Sequence, residues 1–186
     1  MRQIVIILVG PIAAGKGTVV EILKKQGFAP YSFSDRIKEE ITRRGLEITR
    51  FTLNEVSNDL RHNVAIDVLA QRNADVIDRD QNEKVVVDGA RNLDEVNFLK
   101  NKYNAKVIGI VADQPTRYER LKARGAVNEN LTFEQFRELD NRELQQADAY
   151  AQQVQKCLDA ADIIIDNNGS MEELDKQISK FINPLL

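Results

Sequence analysis

The 186-residue sequence has only one cysteine, one histidine and four prolines, and it contains no tryptophan. Because a disulfide needs two cysteines, Cys157 cannot form one within the chain, and such sparse cysteine usage is typical of a reducing compartment. We therefore expect a cytoplasmic protein in which Cys157 lies on a helix face. No repeat, low-complexity segment or Pro- and Gly-rich linker divides the chain, so we predict one domain over residues 1–186.

A basic surface and a long hydrophobic run are also missing. The net charge of -3 and the isoelectric point near 5.4 argue against binding to nucleic acid or to an anionic membrane. The apolar stretch that ends at Ala14 is too short to span a bilayer. Its length resembles that of the hydrophobic region of a signal peptide, but the glycines and the lysine that follow favour a buried strand. We expect a small-molecule partner and a monomer or dimer.

Short β-branched runs alternate with longer amphipathic stretches, which predicts a parallel sheet covered by helices. The predicted strands are Ile4–Val9, Tyr31–Phe33, Lys84–Val87, Lys106–Val111 and Asp162–Ile165. Capping boxes, in which Ser or Thr precedes Glu or Gln by three residues, predict helix starts at Thr52, Thr132 and Ser170. The predicted helices cover residues 16–26, 35–44, 53–77, 94–102, 115–123 and 133–158, and a last helix that ends at Asn183.

The segment GPIAAGKGT, residues 10–18, joins the first strand to the first helix. Its glycines and Lys16 are typical of a loop that turns backbone N–H groups and a mobile positive charge towards a phosphate. The usual pattern has Ser or Thr directly after the lysine, but this chain has Gly17 there and Thr18 one residue later. Without a hydroxyl at position 17, we expect carboxylates to hold magnesium through water.

This loop resembles that of nucleoside monophosphate kinases, and especially of adenylate kinases, which carry Gly-Lys-Gly-Thr. The resemblance implies an α/β fold of three layers (α/β/α), the P-loop kinase fold, with a five-stranded parallel sheet in the order 2-3-1-4-5. It also implies ATP and Mg²⁺ as cofactors. The whole loop would then bind ATP, through Gly10, Pro11, Ile12, Ala13, Ala14, Gly15, Lys16, Gly17 and Thr18.

Further segments resemble the same kinases. SFSDRIKEE is similar to the start of their acceptor-binding region, here about residues 34–80, and matches Asp35 and Lys38 to its acidic and basic positions. VVVDGAR resembles their Asp-Gly-Phe-Pro-Arg element, which implies Asp88 near magnesium, through water, and Arg91 on the acceptor. This copy is one residue shorter. Arg61 is a further candidate on the acceptor side.

RYERLKARG resembles the segment before the kinase lid, which implies Arg120 against the adenine of ATP and Arg124 on the transferring phosphate. The lid would be short, about residues 124–132, and Arg142 would add a phosphate contact from the closing side. ADIIIDNNGSMEEL is similar to the last strand and loop of dephospho-CoA kinases, where the loop borders the ATP base. The whole pattern looks closest to small kinases related to adenylate and dephospho-CoA kinases.

The acceptor stays open at this point. Glu95 stands where an adenylate kinase has the glutamine that reads the base of AMP. We therefore expect transfer of the γ-phosphate of ATP to a nucleoside or deoxynucleoside monophosphate, with dephospho-CoA as the alternative acceptor. A ribose hydroxyl would need a carboxylate base such as Asp35 more than a phosphate oxygen would. A P-loop ATPase or nucleotide switch that phosphorylates no acceptor is the alternative from another class.

Overall fold

A computed structural model of the chain describes residues 3–125, 131–145, 150 and 152–186; the side chains of Arg50, Arg142, Glu143 and Gln145 are outside that description. Its strands are β1 (Ile4–Val9), β2 (Ala29–Ser32), β3 (Lys84–Asp88), β4 (Lys106–Val111) and β5 (Ile163–Asp166). They form one sheet in the order β2-β3-β1-β4-β5, and all four neighbouring pairs are parallel. The predicted strand order 2-3-1-4-5 is confirmed.

The described helices are α1 (Lys16–Lys25), α2 (Phe33–Arg43), α3 (Arg50–Asn63), α4 (Val68–Asp80), α5 (Leu93–Tyr103), α6 (Gln114–Ala123), α7 (Phe133–Gln145), α8 (Val154–Asp159) and α9 (Met171–Ile182). A 3₁₀ turn, Asn183–Leu185, follows α9. Within the described ranges, no helix combines the length and the apolar character that crossing a membrane requires.

Two apolar layers cover the two faces of the sheet, because successive residues of the central strands are apolar and point to opposite sides. On one face, Ile7 packs in a cluster with residues of α2, α3, α4, α5 and α8. On the other, Leu8 packs with residues of α1 and α9. This is the predicted three-layer architecture.

Cys157 of α8 is buried in the first layer, and burial raises the pKa of its thiol to about 12.

Two predicted helices are each divided in the structure. The predicted 53–77 helix is α3 and α4, separated by residues 64–67, and α3 begins three residues earlier than expected. Thr49 is its N-cap, and Thr52 occupies the third helical position of a capping box with Thr49. The predicted 133–158 helix contains α7 and α8 as separate elements. The helix starts predicted at Thr132 and Ser170 have their capping hydrogen bonds.

Charged side chains hold α2, α3 and α4 together. Glu40, which is 3% exposed, accepts hydrogen bonds from Arg43, Arg44 and Arg72 at 2.6–3.2 Å. Arg44 also forms an ion pair with Asp59 of α3 at 2.6 Å. The hydrogen bond from Arg43 is the largest of the effects that lower the pKa of Glu40, to about 2. The predicted acceptor region therefore has its own network of ion pairs between its helices.

Candidate active site

The loop between β1 and α1 adopts backbone conformations that require glycine at two points. Gly10 has φ +141°, and a Cβ atom there would lie 2.1 Å from the carbonyl oxygen of Ile110 in β4. Gly15 has φ +107°, and its Cβ would lie 2.0 Å from Nδ2 of Asn167. A side chain at either position would strain the backbone and would collide with these atoms. At Gly17, by contrast, an added Cβ would meet no atom within 4 Å.

Lys16 begins α1 and turns back over the loop. Its Nζ donates to the carbonyl oxygens of Gly10 at 2.8 Å and of Pro11 at 3.0 Å. Thr18 is in the first turn of the helix, where its N–H donates to the carbonyl oxygen of Gly15 at 2.9 Å. The first turn of α1 has no acidic residue, so the positive end of the helix dipole is not offset there. These features suit a polyphosphate.

Arg120 of α6 connects this loop to the segment after β5. Its Nη2 donates to the carbonyl oxygen of Asn167 at 2.7 Å and its Nη1 to that of Ala14 at 3.5 Å. The buried Asn167 side chain donates to the same Ala14 oxygen at 2.8 Å. The structure thus places Arg120 beside the loop, and its contact with the adenine of ATP stays a prediction. Sequence reasoning found the segment after β5 but missed Asn167 itself.

Asp88 ends β3 and is paired with Leu8 of β1 and Ser32 of β2. Its Oδ1 is buried, and no hydrogen-bond partner lies within the described part of the chain. A buried carboxylate oxygen without a partner is costly unless water or a cation satisfies it. In the described ranges, no three His, Cys, Asp or Glu side chains are placed to hold a metal together. A single carboxylate that contacts hydrated Mg²⁺ through water fits this donor set.

A pocket of about 110 Å³ lies beside the phosphate loop, between α2, α3 and the segment after β3. Its polar lining comes from Ser34, Asn54, Ser57, Arg61, Arg91 and Gln152, and its remaining lining from Ile12, Phe33, Ile37, Leu53 and Gly89. Arg91 donates from Nη1 to Oε1 of Gln152 at 2.7 Å. Gln152 in turn donates to Asn54 at 3.2 Å. Ile12 belongs to the phosphate loop, so the pocket and the loop share a wall.

Arg61 reaches this pocket from α3 although it is only 3% exposed. Its Nε donates to Oε1 of Glu95 in α5 at 2.8 Å, and Glu95 is fully buried. Burial raises the pKa of Glu95, while the adjacent guanidinium of Arg61 favours the charged carboxylate. The Nη1 atom of Arg61 is buried and has no hydrogen-bond partner in the described ranges. The Oε2 atom of Glu95 is likewise buried without a hydrogen-bond partner in the described ranges.

Other predicted site residues lie outside this arrangement. Asp35 and Lys38 form an exposed ion pair with each other at 3.2 Å, and neither lines the pocket. Arg124 is exposed at the C-terminal end of α6. The side chain of Arg142 and residues 126–130 of the predicted lid lie outside the described residues.

A buried ion pair between α6 and α7 was not predicted. Arg117, 2% exposed, donates from Nη1 and Nη2 to the two carboxylate oxygens of Asp140 at 2.5 Å each. Arg117 also donates to the carbonyl oxygens of Ala112 and Ile12. The predicted helix over residues 115–123 includes Arg117, but no local signal identifies a partner 23 residues away. The pair holds α7 and the phosphate loop in one unit.

The strand–loop–helix unit with Lys16, at the centre of a parallel sheet in this order, defines the P-loop kinase fold. Solved structures share it: TT1252 from Thermus thermophilus (TM-score 0.60, 18% identity, 100% of each chain covered) and shikimate kinase from Acinetobacter baumannii (0.59, 19%, 98% and 94%). A gluconokinase from Sinorhizobium meliloti is also similar (0.54, 14%, 100% and 95%). At these identities the likeness shows the fold alone.

The chain belongs to the AAA domain family, whose model matches residues 6–148. It also belongs with the UPF0200 proteins. It is 30% identical to UPF0200 protein TK1334 of Thermococcus kodakarensis, with 98% of each chain covered. It is 32% identical to a UPF0200 protein of Thermococcus gammatolerans, with 98% of this chain and 95% of the relative covered.

Proposed function

We propose that the protein is an ATP- and Mg²⁺-dependent phosphotransferase whose acceptor is a nucleotide, chiefly a nucleoside or deoxynucleoside monophosphate. One observation carries the proposal. The phosphate loop and a pocket with two arginines share Ile12 as a wall at the carboxyl ends of β1 and β3. In an open parallel sheet, ligands bind at these ends. A donor and an anionic acceptor can therefore meet there.

Phosphoryl transfer depends mainly on positioning and on positive charge around the transferring group. Lys16 and the N–H groups of the loop would bind the phosphates of ATP, and Arg120 would border its base. Arg91 would hold the acceptor from the opposite side. Mg²⁺, held by Asp88 through water, would neutralise charge on the ATP phosphates. Arg124 and Arg142 would approach from the lid side.

The second candidate acceptor is a small hydroxy compound with an anionic group, which would receive the phosphoryl group on its hydroxyl oxygen. Dephospho-CoA is a larger acceptor that would also receive it on a hydroxyl oxygen. The pocket volume of about 110 Å³ is well below the range of about 300–1,000 Å³ that is usual for larger ligands, so a nucleoside monophosphate would place only its phosphate end there. The similar structures named as shikimate kinase and gluconokinase agree with a small acceptor. Asp35, the carboxylate considered as a base for such chemistry, is outside the pocket.

The decisive experiment measures ADP formation from ATP and Mg²⁺ with one acceptor at a time. The panel contains ribo- and deoxynucleoside monophosphates, dephospho-CoA, shikimate and gluconate. We expect at least one monophosphate to stimulate turnover, and Lys16→Ala to abolish it. Lys24→Ala, which changes an exposed lysine of the same helix, is the matched control and should be fully active.

Two outcomes would contradict the proposal. Phosphate release that no acceptor changes would favour an ATPase or a nucleotide switch. Stimulation by shikimate, gluconate or dephospho-CoA alone would favour a hydroxyl acceptor. In that case Asp35→Asn tests the predicted base: slower transfer to a hydroxyl would show that Asp35 acts although it lies outside the pocket, and unchanged transfer would show that it does not.

A further inference from the structure

A glutamine amide joins two sides of the pocket beside the phosphate loop. Oε1 of Gln152 accepts a hydrogen bond from Nη1 of Arg91 at 2.7 Å, and its Nε2 donates to Oδ1 of Asn54 in α3 at 3.2 Å. All three residues line the pocket. Asn54 is exposed and the other two are half-buried, whereas Phe33 and Ser57 of the same lining are buried. This amide bridge is therefore on the solvent side of the pocket.

The chain that carries Gln152 is attached on both sides of the pocket. The N–H of Gln153 donates to the carbonyl oxygen of Arg91 at 2.6 Å. The ring of Tyr150 stacks on that of His62 in α3, with 4.0 Å between the ring centroids and an angle of 24° between the planes. Neither contact involves the side chain of Gln152. Its amide can therefore leave Arg91 by rotation about side-chain bonds while these two contacts stay in place.

The space behind the amide bridge is small. A cavity needs roughly 10–15 Å³ to hold one water, so the pocket volume of about 110 Å³ has room for the four oxygens of a phosphate group. Arg61 and Arg91 line this space and none of the lining residues is acidic, so it suits an anion. A sugar attached to that phosphate would extend to the solvent side, where the bridge lies.

We propose that Gln152 is a specificity-determining residue that selects acceptors by their size. A phosphate-sized group binds behind the closed amide bridge, whereas a nucleotide must open the bridge so that its sugar can pass between Arg91 and Asn54. The hydrogen bonds of the bridge are then lost only for the larger ligand, which lowers its affinity relative to the smaller one. The inference rests on the proposed function where it calls the ligand an acceptor, but both affinities can be measured without turnover.

Calorimetric titration of two ligands tests the inference. The ligands are inorganic phosphate and ribose 5-phosphate, which adds the sugar that ribonucleoside monophosphates share. The full-length protein carries a non-hydrolysable ATP analogue with Mg²⁺, which fills the phosphate loop. Gln152→Ala removes the bridge and should tighten the binding of ribose 5-phosphate about tenfold, since no bridging hydrogen bonds have to be broken. The affinity for inorganic phosphate should not change.

Gln155→Ala is the matched control. This exposed glutamine of α8 donates to Asp159 at 2.8 Å and does not line the pocket, so its substitution should change neither affinity.

Asn54→Ala breaks the bridge at its other end, and it carries the test if Gln152→Ala does not fold, since Asn54 is exposed. It should also tighten the binding of ribose 5-phosphate, but by less than Gln152→Ala, because Arg91 still holds the amide. The double variant should gain no more than Gln152→Ala alone, because the two side chains belong to one bridge. A gain in the double variant that equals the sum of the two single gains would contradict the bridge.

Two results with Gln152→Ala would overturn the inference. Unchanged or weaker binding of ribose 5-phosphate, including no measurable binding to either protein, would show that the amide does not oppose this ligand. Equal tightening of both ligands would show that the amide competes at Arg91 and does not select by size.

The proposed function fails separately. If Gln152→Ala tightens only ribose 5-phosphate but no acceptor stimulates ADP formation, the size selection stands and the kinase assignment falls. If a nucleoside monophosphate is phosphorylated with the same KM by the wild type and by Gln152→Ala, the kinase assignment stands and the inference falls.

Discussion

Replacing Asp140 by alanine should destabilise the protein strongly, because it leaves Arg117 buried without its partner. Arg117 and Asp140 are each 2% exposed, and the carboxylate accepts two hydrogen bonds from the guanidinium at 2.5 Å. It also accepts one from Gln114 at 2.8 Å. Breaking a buried ion pair by removal of one member costs about 3–5 kcal/mol of unfolding free energy. We expect a loss in that range for Asp140→Ala.

The double variant Arg117→Met/Asp140→Leu should recover much of this loss, since buried pairs are often replaced by apolar groups at little net cost. Recovery will be incomplete because Arg117 also donates to the carbonyl oxygens of Ala112 and Ile12. Each such hydrogen bond contributes about 1 kcal/mol. The double variant should therefore be more stable than Asp140→Ala but less stable than the wild type.

Equilibrium unfolding in urea, followed by circular dichroism, measures these differences. Glu138→Ala, an exposed acidic position on the same helix, is the control and should change the unfolding free energy by less than about 0.5 kcal/mol. A loss below about 1 kcal/mol for Asp140→Ala would refute the reasoning, as would a double variant that is less stable than the single one.

Three further predictions concern the loop, the acceptor region and the last helix. Gly15→Ala should abolish ATP binding in calorimetry and lower the unfolding free energy by about 1–3 kcal/mol. The substitution combines φ +107° with a Cβ atom 2.0 Å from Nδ2 of Asn167. Unchanged ATP affinity would contradict this. Because the pKa of Glu40 falls from 4.5 to about 2, its stabilisation is complete above pH 4.5 and is lost as the pH falls towards 2. Glu40→Gln should therefore lower the unfolding free energy by about 1–2 kcal/mol at pH 7. This is less than the full pKa shift of Glu40 implies, because solvent screens its partner Arg43, which is 72% exposed. In urea unfolding, the difference in unfolding free energy between the variant and the wild type should disappear towards pH 2. Ser170→Ala removes the side chain that accepts from the N–H of Glu173 at 3.2 Å and should lower the unfolding free energy by about 1 kcal/mol; no change would show that the cap is dispensable.

The sheet and the phosphate loop could be predicted because their signals are local. A run such as Ile4–Val9 is apolar at every position, which indicates burial on both faces. The glycines at positions 10 and 15 predict a tight turn before a helix, and the structure shows a backbone there that other residues rarely adopt. The strand order came from the resemblance, and the structure confirms it.

Helix boundaries were less predictable because the competing signals are equally local. Thr52 followed by Glu55 satisfies the capping-box pattern, but Thr49 followed by Thr52 forms the box that the structure contains. Both readings place a hydroxyl three residues before a polar side chain. Only the fold of the preceding turn, where the hydroxyl of Thr52 also donates to the carbonyl oxygen of Glu47 at 2.6 Å, decides between them.

The acceptor side was hardest to predict because its main contacts join residues that are distant in sequence. Arg61 and Glu95 are 34 residues apart, and each alone has the pattern of a charged residue on a helix. Asp35 and Lys38 match the kinase pattern in sequence, yet they lie on an exposed turn of α2 where they satisfy each other. The kinase sequence pattern fixes the positions of these residues along the chain but not the face of the helix on which their side chains lie.

The contacts that hold the phosphate loop have a consequence for how this protein could change its acceptor. Lys16, Arg120 and Asn167 all donate to main-chain carbonyl oxygens, those of residues 10, 11, 14 and 167. Every amino acid retains such an oxygen, so exchanges of the side chains at residues 11 and 14 leave it available, whereas residue 10 must stay glycine and residue 167 supplies a donor of its own. The pocket beside the loop, by contrast, is lined mainly by side chains of α2 and α3, together with Ile12, Arg91 and Gln152. Substitutions in α2 and α3 can change the shape of this pocket without touching the main-chain contacts of the loop, so the loop and the pocket are free to diverge at different rates.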